Sequence, residues 1–151
     1  MSVIRVENLK KSIKGKVILE DLSFRVERGD CLALIGPNGA GKTTLIDCLL
    51  GDKFMSSGQI AIQGFAPTDP RLKQLISILP QENTVVQDLK VKELLSFFQS
   101  IYPNSLSNQE IDDLLRFSDK QKNQLAGKLS GGQKRLFSFV LALIEIGRAH
   151  V

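Results

Sequence analysis

The glycine-rich run Gly36–Thr44, with the sequence GPNGAGKTT, sets the narrowest limits on the fold. A continuous apolar run, Cys31–Ile35, leads into it and predicts a strand that is covered on both faces. Helical spacing of Leu45 and Leu49 follows, and Gly51 stands where a helix C-cap is expected. The order of strand, glycine loop and helix is typical of an α/β fold.

The spacing Gly36-x-x-x-x-Gly41-Lys42-Thr43 is the P-loop pattern, which predicts phosphate binding. Glycines let several backbone N–H groups approach one anion, and the helix that begins at the loop adds its positive N-terminal dipole. Lys42 is predicted to reach the β- and γ-phosphates, and the Thr43 hydroxyl to bind Mg²⁺. The alternative is a glycine-rich turn that happens to carry a lysine. Average residue frequencies put a chance match in this chain at about 0.5%.

Short strands are predicted on both sides of this loop. Val3–Leu9 and Leu22–Val26 alternate apolar and polar residues, which predicts half-buried strands of an antiparallel edge sheet. Ile60 and Ile62 predict another short strand, and Ile76–Leu79 a further apolar strand.

Residues 83–128 are predicted to form a small helical subdomain inserted in the α/β body. Its first helix has apolar residues at the spacing of one helix face. These are Val91, Leu94, Leu95, Phe98, Ile101 and Tyr102. Ser107 and Glu110 then form a capping-box pattern that predicts the start of a second helix.

A second motif, LSGGQ at Leu129–Gln133, follows the helical subdomain. Its backbone N–H groups and the Ser130 hydroxyl stand at the start of a predicted helix, which suits a second anion site. That helix is predicted to place Leu136, Val140 and Leu143 on one apolar face. A glycine pair before a helix is common by itself, but a chance match to all five residues is about one in several thousand.

These two motifs make the sequence resemble the ATP-binding subunits of ABC transporters, over residues 2–144. GPNGAGKTT is the usual form of that family's P-loop, and LSGGQ is its signature motif. Gln81 follows the apolar run Ile76–Leu79, where the family places its Q-loop glutamine. The stretch Leu94–Tyr102, LLSFFQSIY, is similar to the exporter branch of the family.

The resemblance implies a P-loop NTPase fold with an antiparallel edge sheet, a central, mostly parallel sheet and a helical subdomain. It implies that the protein binds ATP and Mg²⁺. Two ATP-binding subunits would pack head to tail, so that Ser130 and Gly132 of one complete the ATP site of the other. The full-length protein would hydrolyse ATP to power solute transport by a transmembrane permease subunit. The expected location is cytoplasmic, on the inner face of the cell membrane.

The resemblance also assigns a role to each matching residue. The predicted nucleotide-binding residues are Gly36, Pro37, Asn38, Gly39, Ala40, Gly41, Lys42, Thr43 and Thr44, with Ile13 on the adenine side. The predicted signature residues, which act on the ATP of the partner subunit, are Leu129, Ser130, Gly131, Gly132 and Gln133. Thr43 and Gln81 are predicted to hold Mg²⁺, and Gln81 to support catalysis.

The chain departs from the family pattern near both ends. Ile13 stands where the family has an aromatic residue that stacks on adenine. The family's Asp-Glu pair, whose glutamate is the general base, and its later switch histidine have no counterpart here, and His150 is not taken for that histidine. The 151-residue chain is therefore expected to be inactive alone. Residues 145–151, EIGRAHV, lack helical or strand periodicity and are interpreted as a non-native tail after a domain of residues 1–144.

Composition and charge argue against several other kinds of protein and binding partner. The formal charge is +4, and residues 1–16 hold five basic residues against one acidic residue. No nucleic-acid motif accompanies this basic segment, so no nucleic-acid partner is expected. No run of about 18 apolar residues predicts a transmembrane helix, and the N-terminal residues lack a signal-peptide pattern. Cys31 and Cys48 lie in apolar runs and are predicted to be buried, reduced thiols.

Two alternatives to a transporter subunit stay open. The first is a soluble ABC-type ATPase of DNA repair or translation, which usually carries a coiled-coil insertion or a tandem domain. Residues 83–128 are too short for such a coiled coil, but a tandem arrangement stays possible. The second is a non-hydrolysing nucleotide-binding fragment, which measurable ATP binding without turnover would favour.

The aliphatic side chain at position 13 generates a prediction about nucleotide selectivity. Ile13 can cover the adenine ring but cannot stack on it through a π-system. We therefore expect comparable affinities for ATP and GTP, measured by competition against a fluorescent nucleotide. A strong preference for ATP would contradict this prediction.

Overall fold

The computed structural model describes residues 2–80, 86–102 and 104–146. The chain divides into two compact units, Met1–Lys73 and Gln74–Val151. The predicted glutamine Gln81 and the tail residues 147–151 lie outside the described residues.

The first unit contains a three-stranded antiparallel sheet in the order β2-β1-β3. The strands are β1 at Ser2–Ile13, β2 at Lys16–Glu27 and β3 at Ser57–Ile62. A two-residue turn joins β1 to β2, and both its residues have positive φ, 49° at Lys14 and 78° at Gly15. That geometry matches the right-handed twist of the strands. The predicted antiparallel strands are confirmed.

A β-bulge at Asn8 interrupts the alternation that the sequence suggested for β1. Val6 pairs with Phe24 and Leu9 with Leu22, so β1 advances three residues while β2 advances two. Asn8 has a φ of 48°, in the left-handed region that asparagine tolerates. This extra residue brings both Val6 and Leu9 into the buried core.

Helix α1 spans Lys42–Leu50 and buries Leu45 and Cys48. It ends at Gly51, whose φ of 78° places it in the left-handed conformation of a helix C-cap. A Cβ at Gly51 would lie 2.6 Å from the carbonyl oxygen of Pro67, so only glycine fits there. The predicted helix and its C-cap glycine are confirmed.

Two predicted strands, Cys31–Ile35 and Ile76–Leu79, are not strands in the described structure. Leu32 is 57% exposed and Ile35 is 90% exposed, so the first apolar run is not covered. A parallel strand needs a hydrogen-bonding neighbour and a covering layer on each face. The part of the chain described here supplies neither, and its sheet contains antiparallel pairs only.

The two cysteines differ in environment. Cys48 is buried in α1, and desolvation raises the pKa of its thiol, as expected of an unreactive buried cysteine. Cys31 is exposed, so the prediction that both thiols are buried is wrong for Cys31. Its position in the uncovered apolar run accounts for the difference.

The second unit is helical. Its helices are α2 at Val91–Ile101, α3 at Asn108–Leu115, α4 at Asp119–Asn123 and α5 at Gly131–Ile146, with a 3₁₀ turn at Ala126–Lys128. They enclose one apolar core. Its members are Val91, Leu94, Leu95, Leu106, Ile111, Leu115, Ala126, Leu129, Phe137, Val140, Leu141 and Ile144. This region confirms the amphipathic helix that was predicted from Val91 onward.

The capping box predicted before α3 is present. The Ser107 hydroxyl accepts a hydrogen bond from the Glu110 amide at 3.3 Å, and the Glu110 carboxylate accepts one from the Ser107 amide at 2.8 Å. Ser118 and Gln121 make the same reciprocal contacts before α4, which the sequence analysis did not predict. Each box satisfies backbone donors that a helix start would otherwise leave unpaired.

Helix α5 buries the predicted Val140 and packs the predicted Leu143 against the core, but Leu136 lies outside the buried face. Phe137, Val140, Leu141 and Ile144 are buried, whereas Leu136 is 37% exposed. Apolar residues lie nearly all around this helix, so their spacing alone could not identify the buried face. The helix continues to Ile146, so the first two residues of the predicted tail are helical. Among the described helices, none is long and apolar enough to cross a membrane.

The core of the second unit generates a stability prediction from two matched isoleucines. Ile111 is 2% exposed and Ile101 is 51% exposed. Ile111→Val should lower the free energy of unfolding by about 0.5–1.5 kcal/mol, because it removes a buried methyl group. Ile101→Val should change it by less than about 0.5 kcal/mol. Urea denaturation followed by circular dichroism measures both, and equal losses would contradict the assigned core.

Candidate functional site

The glycine-rich loop ends in an uncapped helix start. The Ala40 amide donates to the Pro37 carbonyl at 3.2 Å, which closes a turn inside the loop. Gly41 is the N-cap of α1, and no side chain caps this end. The first helical hydrogen bond runs from Leu45 to Gly41 at 2.9 Å. The amides of residues 41–44 therefore have no acceptor within the helix, and they are donors suited to an anion.

Gly41 has a left-handed backbone conformation and lies close to strand β2. Its φ is 91°, a conformation that L side chains rarely adopt. A Cβ there would lie 2.9 Å from Leu19 Cδ2 and 3.1 Å from the Ile18 carbonyl oxygen. The backbone thus packs directly on β2 and fixes where α1 begins.

Lys42 folds its side chain back over the loop. Its ammonium donates to the Gly36 carbonyl at 2.5 Å and to the Pro37 carbonyl at 2.7 Å. Charge-assisted hydrogen bonds to phosphate oxygens are stronger than those to neutral carbonyls. The same ammonium can therefore pass from the loop carbonyls to a phosphate bound at the loop.

Thr43 fits the predicted role in binding Mg²⁺. It is exposed and occupies the first turn of α1, beside the uncapped amides. Mg²⁺ binds oxygen and usually keeps several waters beside one or two protein ligands and substrate phosphates. Within the described residues, no group of three His, Cys, Asp or Glu residues could hold a metal ion. The Thr43 hydroxyl is an oxygen ligand of the kind that Mg²⁺ accepts.

Ile13 lies at the end of β1, where it pairs with Lys16 across the hairpin turn. Its side chain is partly exposed, and it belongs to the same unit as the glycine-rich loop. Its contact with adenine stays a prediction.

The LSGGQ motif forms the start of α5 in the second unit. Leu129 is buried in the helical core. The Ser130 hydroxyl accepts from the Gln133 amide at 3.3 Å, and the Gln133 side-chain oxygen accepts from the Ser130 amide at 2.9 Å. This is a third capping box, and it gives Gln133 a structural role that the sequence analysis did not assign.

Gly131 and Gly132 are not required by the fold of their unit. Both are exposed, neither has positive φ, and a Cβ at either would meet no heavy atom within 4 Å. Glycine here leaves the first amides of α5 open to close approach from outside.

Two further polar contacts of α5 were not predicted. The Arg135 guanidinium donates to the Pro80 carbonyl, and the Ser77 hydroxyl donates to the Glu145 carboxylate at 2.8 Å. Arg135 could have been singled out only by its place, two residues after the motif. Gln81, which the sequence placed after Pro80, lies outside the described residues.

Comparison with known proteins agrees with this reading of the two motifs. Residues 19–148 match the family model described as ABC transporter. The chain belongs to this family. Its resemblance to ATP-binding subunits is thereby confirmed.

Named relatives are ATP-binding proteins of both export and import systems. The chain is 33% identical to the SkfA peptide export ATP-binding protein SkfE of Bacillus subtilis (strain 168), over 96% of this chain and 62% of that protein. It is 37% identical to the zinc import ATP-binding protein ZnuC of Rickettsia bellii (strain RML369-C), over 87% of this chain and 53% of that protein. The chain thus spans between half and two thirds of these relatives.

A solved structure supports the fold class. The ADP conformation of MJ1267, an ATP-binding cassette of an ABC transporter, superposes with a TM-score of 0.79 at 26% identity. The match covers 98% of this chain and 66% of that one. The predicted P-loop NTPase class is confirmed, with the antiparallel sheet and the helical subdomain as the described parts.

The packing of the loop predicts unequal effects of alanine at two glycines. Gly41 and Gly39 both have positive φ, 91° and 84°, so alanine strains the backbone at each. Only at Gly41 would the new Cβ also meet β2. Gly41→Ala should therefore lower the free energy of unfolding by about 1–3 kcal/mol more than Gly39→Ala, the usual cost of overpacking. Urea denaturation of the two variants checks this, and equal stabilities would contradict it.

Proposed function

We propose that this chain is the ATP-binding part of an ABC transporter of the export type. The observation that carries the proposal is the uncapped start of α1, with the Lys42 ammonium folded back onto the carbonyls of the same glycine-rich loop. This arrangement suits the triphosphate of a nucleotide.

Different loop residues would bind different parts of ATP. The amides of residues 41–44 would hold phosphate oxygens, and Lys42 would bind the β- and γ-phosphates. The Thr43 hydroxyl would bind Mg²⁺, together with Gln81. Mg²⁺ would supply positive charge between the phosphates, and Ile13 would cover the adenine ring.

The signature residues would serve a nucleotide held by a second subunit. Ser130, Gly131 and Gly132 are exposed and do not belong to the apolar core of their unit. In a head-to-tail dimer, Ser130 and Gly132 would meet the γ-phosphate bound to the partner's loop. ATP would then favour the closed dimer, because only that state offers the phosphate both sets of donors.

Transport and hydrolysis are proposed for the full-length protein. Closure and reopening of the dimer would move a transmembrane permease subunit, with the ATP-binding subunits on the inner face of the cell membrane. SkfE is named for export and ZnuC for import; the segment LLSFFQSIY at Leu94–Tyr102 favours export.

A lysine substitution tests the nucleotide site. Lys42→Ala should weaken ATP binding by about tenfold to a hundredfold, because a hydrogen bond to a charged group contributes about 1.5–3 kcal/mol. Isothermal titration calorimetry with MgATP measures the affinity. The matched control is Lys92→Ala, since Lys92 is an exposed lysine on α2 in the other unit. Unchanged affinity in the Lys42 variant would contradict the proposed site.

The transporter subunit, the soluble ATPase and the non-hydrolysing fragment predict different results when the gene is sequenced further and turnover is measured. Sequencing the source DNA beyond codon 144 should reveal an apolar strand that ends in Asp-Glu, and then a histidine. A second ATP-binding domain in the same gene would favour the soluble ATPase. A reading frame that closes after Val151, with ATP binding but no turnover, would favour the non-hydrolysing fragment.

A further inference from the structure

Residues 77–80 are held against helix α5 at both of their ends. The Ser77 hydroxyl donates to the Glu145 carboxylate at 2.8 Å, in the last turn of α5. The Arg135 guanidinium, in the second turn, donates to the Pro80 carbonyl. We call residues 77–80 with these two contacts the α5 strap.

The two contacts lie far apart on the helix. Arg135 and Glu145 are ten residues apart in sequence, which corresponds to about 15 Å of helix. The three steps from Ser77 to Pro80 span at most about 10–11 Å when extended. The long Arg135 side chain spans the remaining distance. Because Ser77 contacts the last turn of α5 and Pro80 contacts Arg135 in its second turn, the strap runs antiparallel to α5 and is anchored near each end of it.

Between the anchors the packing is incomplete. A cavity of about 120 Å³ lies between the strap and helices α2 and α5, lined by Ile78, Leu79, Pro80, Phe98, Ser138, Leu141, Ala142 and Glu145. In the described structure the buried Ser138 hydroxyl has no hydrogen-bond partner. The two polar anchors therefore hold the strap at the ends of a stretch that is not fully packed.

We propose that Arg135 is a positioning residue for the signature motif. Its backbone lies in the helix whose first turn carries Ser130, Gly131 and Gly132, and its side chain holds the strap at Pro80. A displacement of the strap therefore also shifts the start of α5. Arg135 acts through the orientation of these donors rather than through contact with nucleotide. The inference rests on the proposed function of the signature motif.

The test compares Arg135→Ala and Arg135→Lys in the full chain. Sedimentation velocity in MgATP measures ATP-dependent association of two copies, and calorimetry measures ATP binding by one copy. Arg135→Ala should weaken association by about tenfold, the usual effect of losing a hydrogen bond from a charged donor. ATP affinity should stay within about twofold, because the glycine-rich loop is unchanged. Lysine retains a cationic donor that can reach the carbonyl, so Arg135→Lys should restore part of the association.

The opposite anchor separates positioning from direct contact. Ser77→Ala removes the other end of the strap without touching the first turn of α5. It should weaken association in the same direction, and the double variant should lose less than the product of the two single effects, because both act on one strap. A defect in Arg135→Ala with none in Ser77→Ala would show that Arg135 contacts the partner directly, which overturns the inference.

Three further outcomes are decisive. If Arg135→Ala lowers the urea midpoint and association falls only in proportion to the unfolded fraction, the residue is merely structural and the inference is wrong. If the unmodified chain fails to associate in MgATP, the proposed role of the signature motif fails, and the inference with it. If it associates, and Lys42→Ala abolishes this while Arg135→Ala does not affect it, only the inference fails.

Discussion

The close packing of Gly41 on strand β2 is the contact on which the nucleotide loop depends. With a φ of 91° and Leu19 and the Ile18 carbonyl beside it, this residue fixes the end of the loop and the first turn of α1 together. The direction of the amides at residues 41–44 follows from that single placement. The antiparallel sheet thus supplies the surface against which the end of the glycine-rich loop is packed.

The glycines of the two motifs serve different physical needs. Gly41 is required by the fold, since its backbone is left-handed and crowded. Gly131 and Gly132 have ordinary backbone conformations and open space around them, so the fold itself would accept side chains there. The side chains of Ser130 and Gln133 accept hydrogen bonds from each other's backbone amides at the start of α5. The amides of Gly131 and Gly132 are left for another acceptor.

Local signals predicted local structure well, whereas features that depend on distant residues were missed. The capping box at Ser107 and the C-cap at Gly51 are decided within a few residues and were predicted correctly. The run Cys31–Ile35 has the composition of a buried strand, but a strand exists only where a neighbour accepts and donates its hydrogen bonds. The buried face of α5 also depends on which helices surround it, since apolar residues occur on several sides.

The sequence by itself determined the chemistry of the candidate site. Motif spacing predicted the family, which the comparisons confirm. It also predicted the loop, Lys42, Thr43 and the signature residues as the site, because phosphate binding requires those residue types at short, fixed intervals. Tertiary structure alone decided that Asn8 forms a bulge, that Gly41 packs on β2, and that Arg135 reaches the Pro80 carbonyl. Arg135 and Pro80 are 55 residues apart. No local pattern encodes such a contact, because it exists only after the chain has folded around a common core.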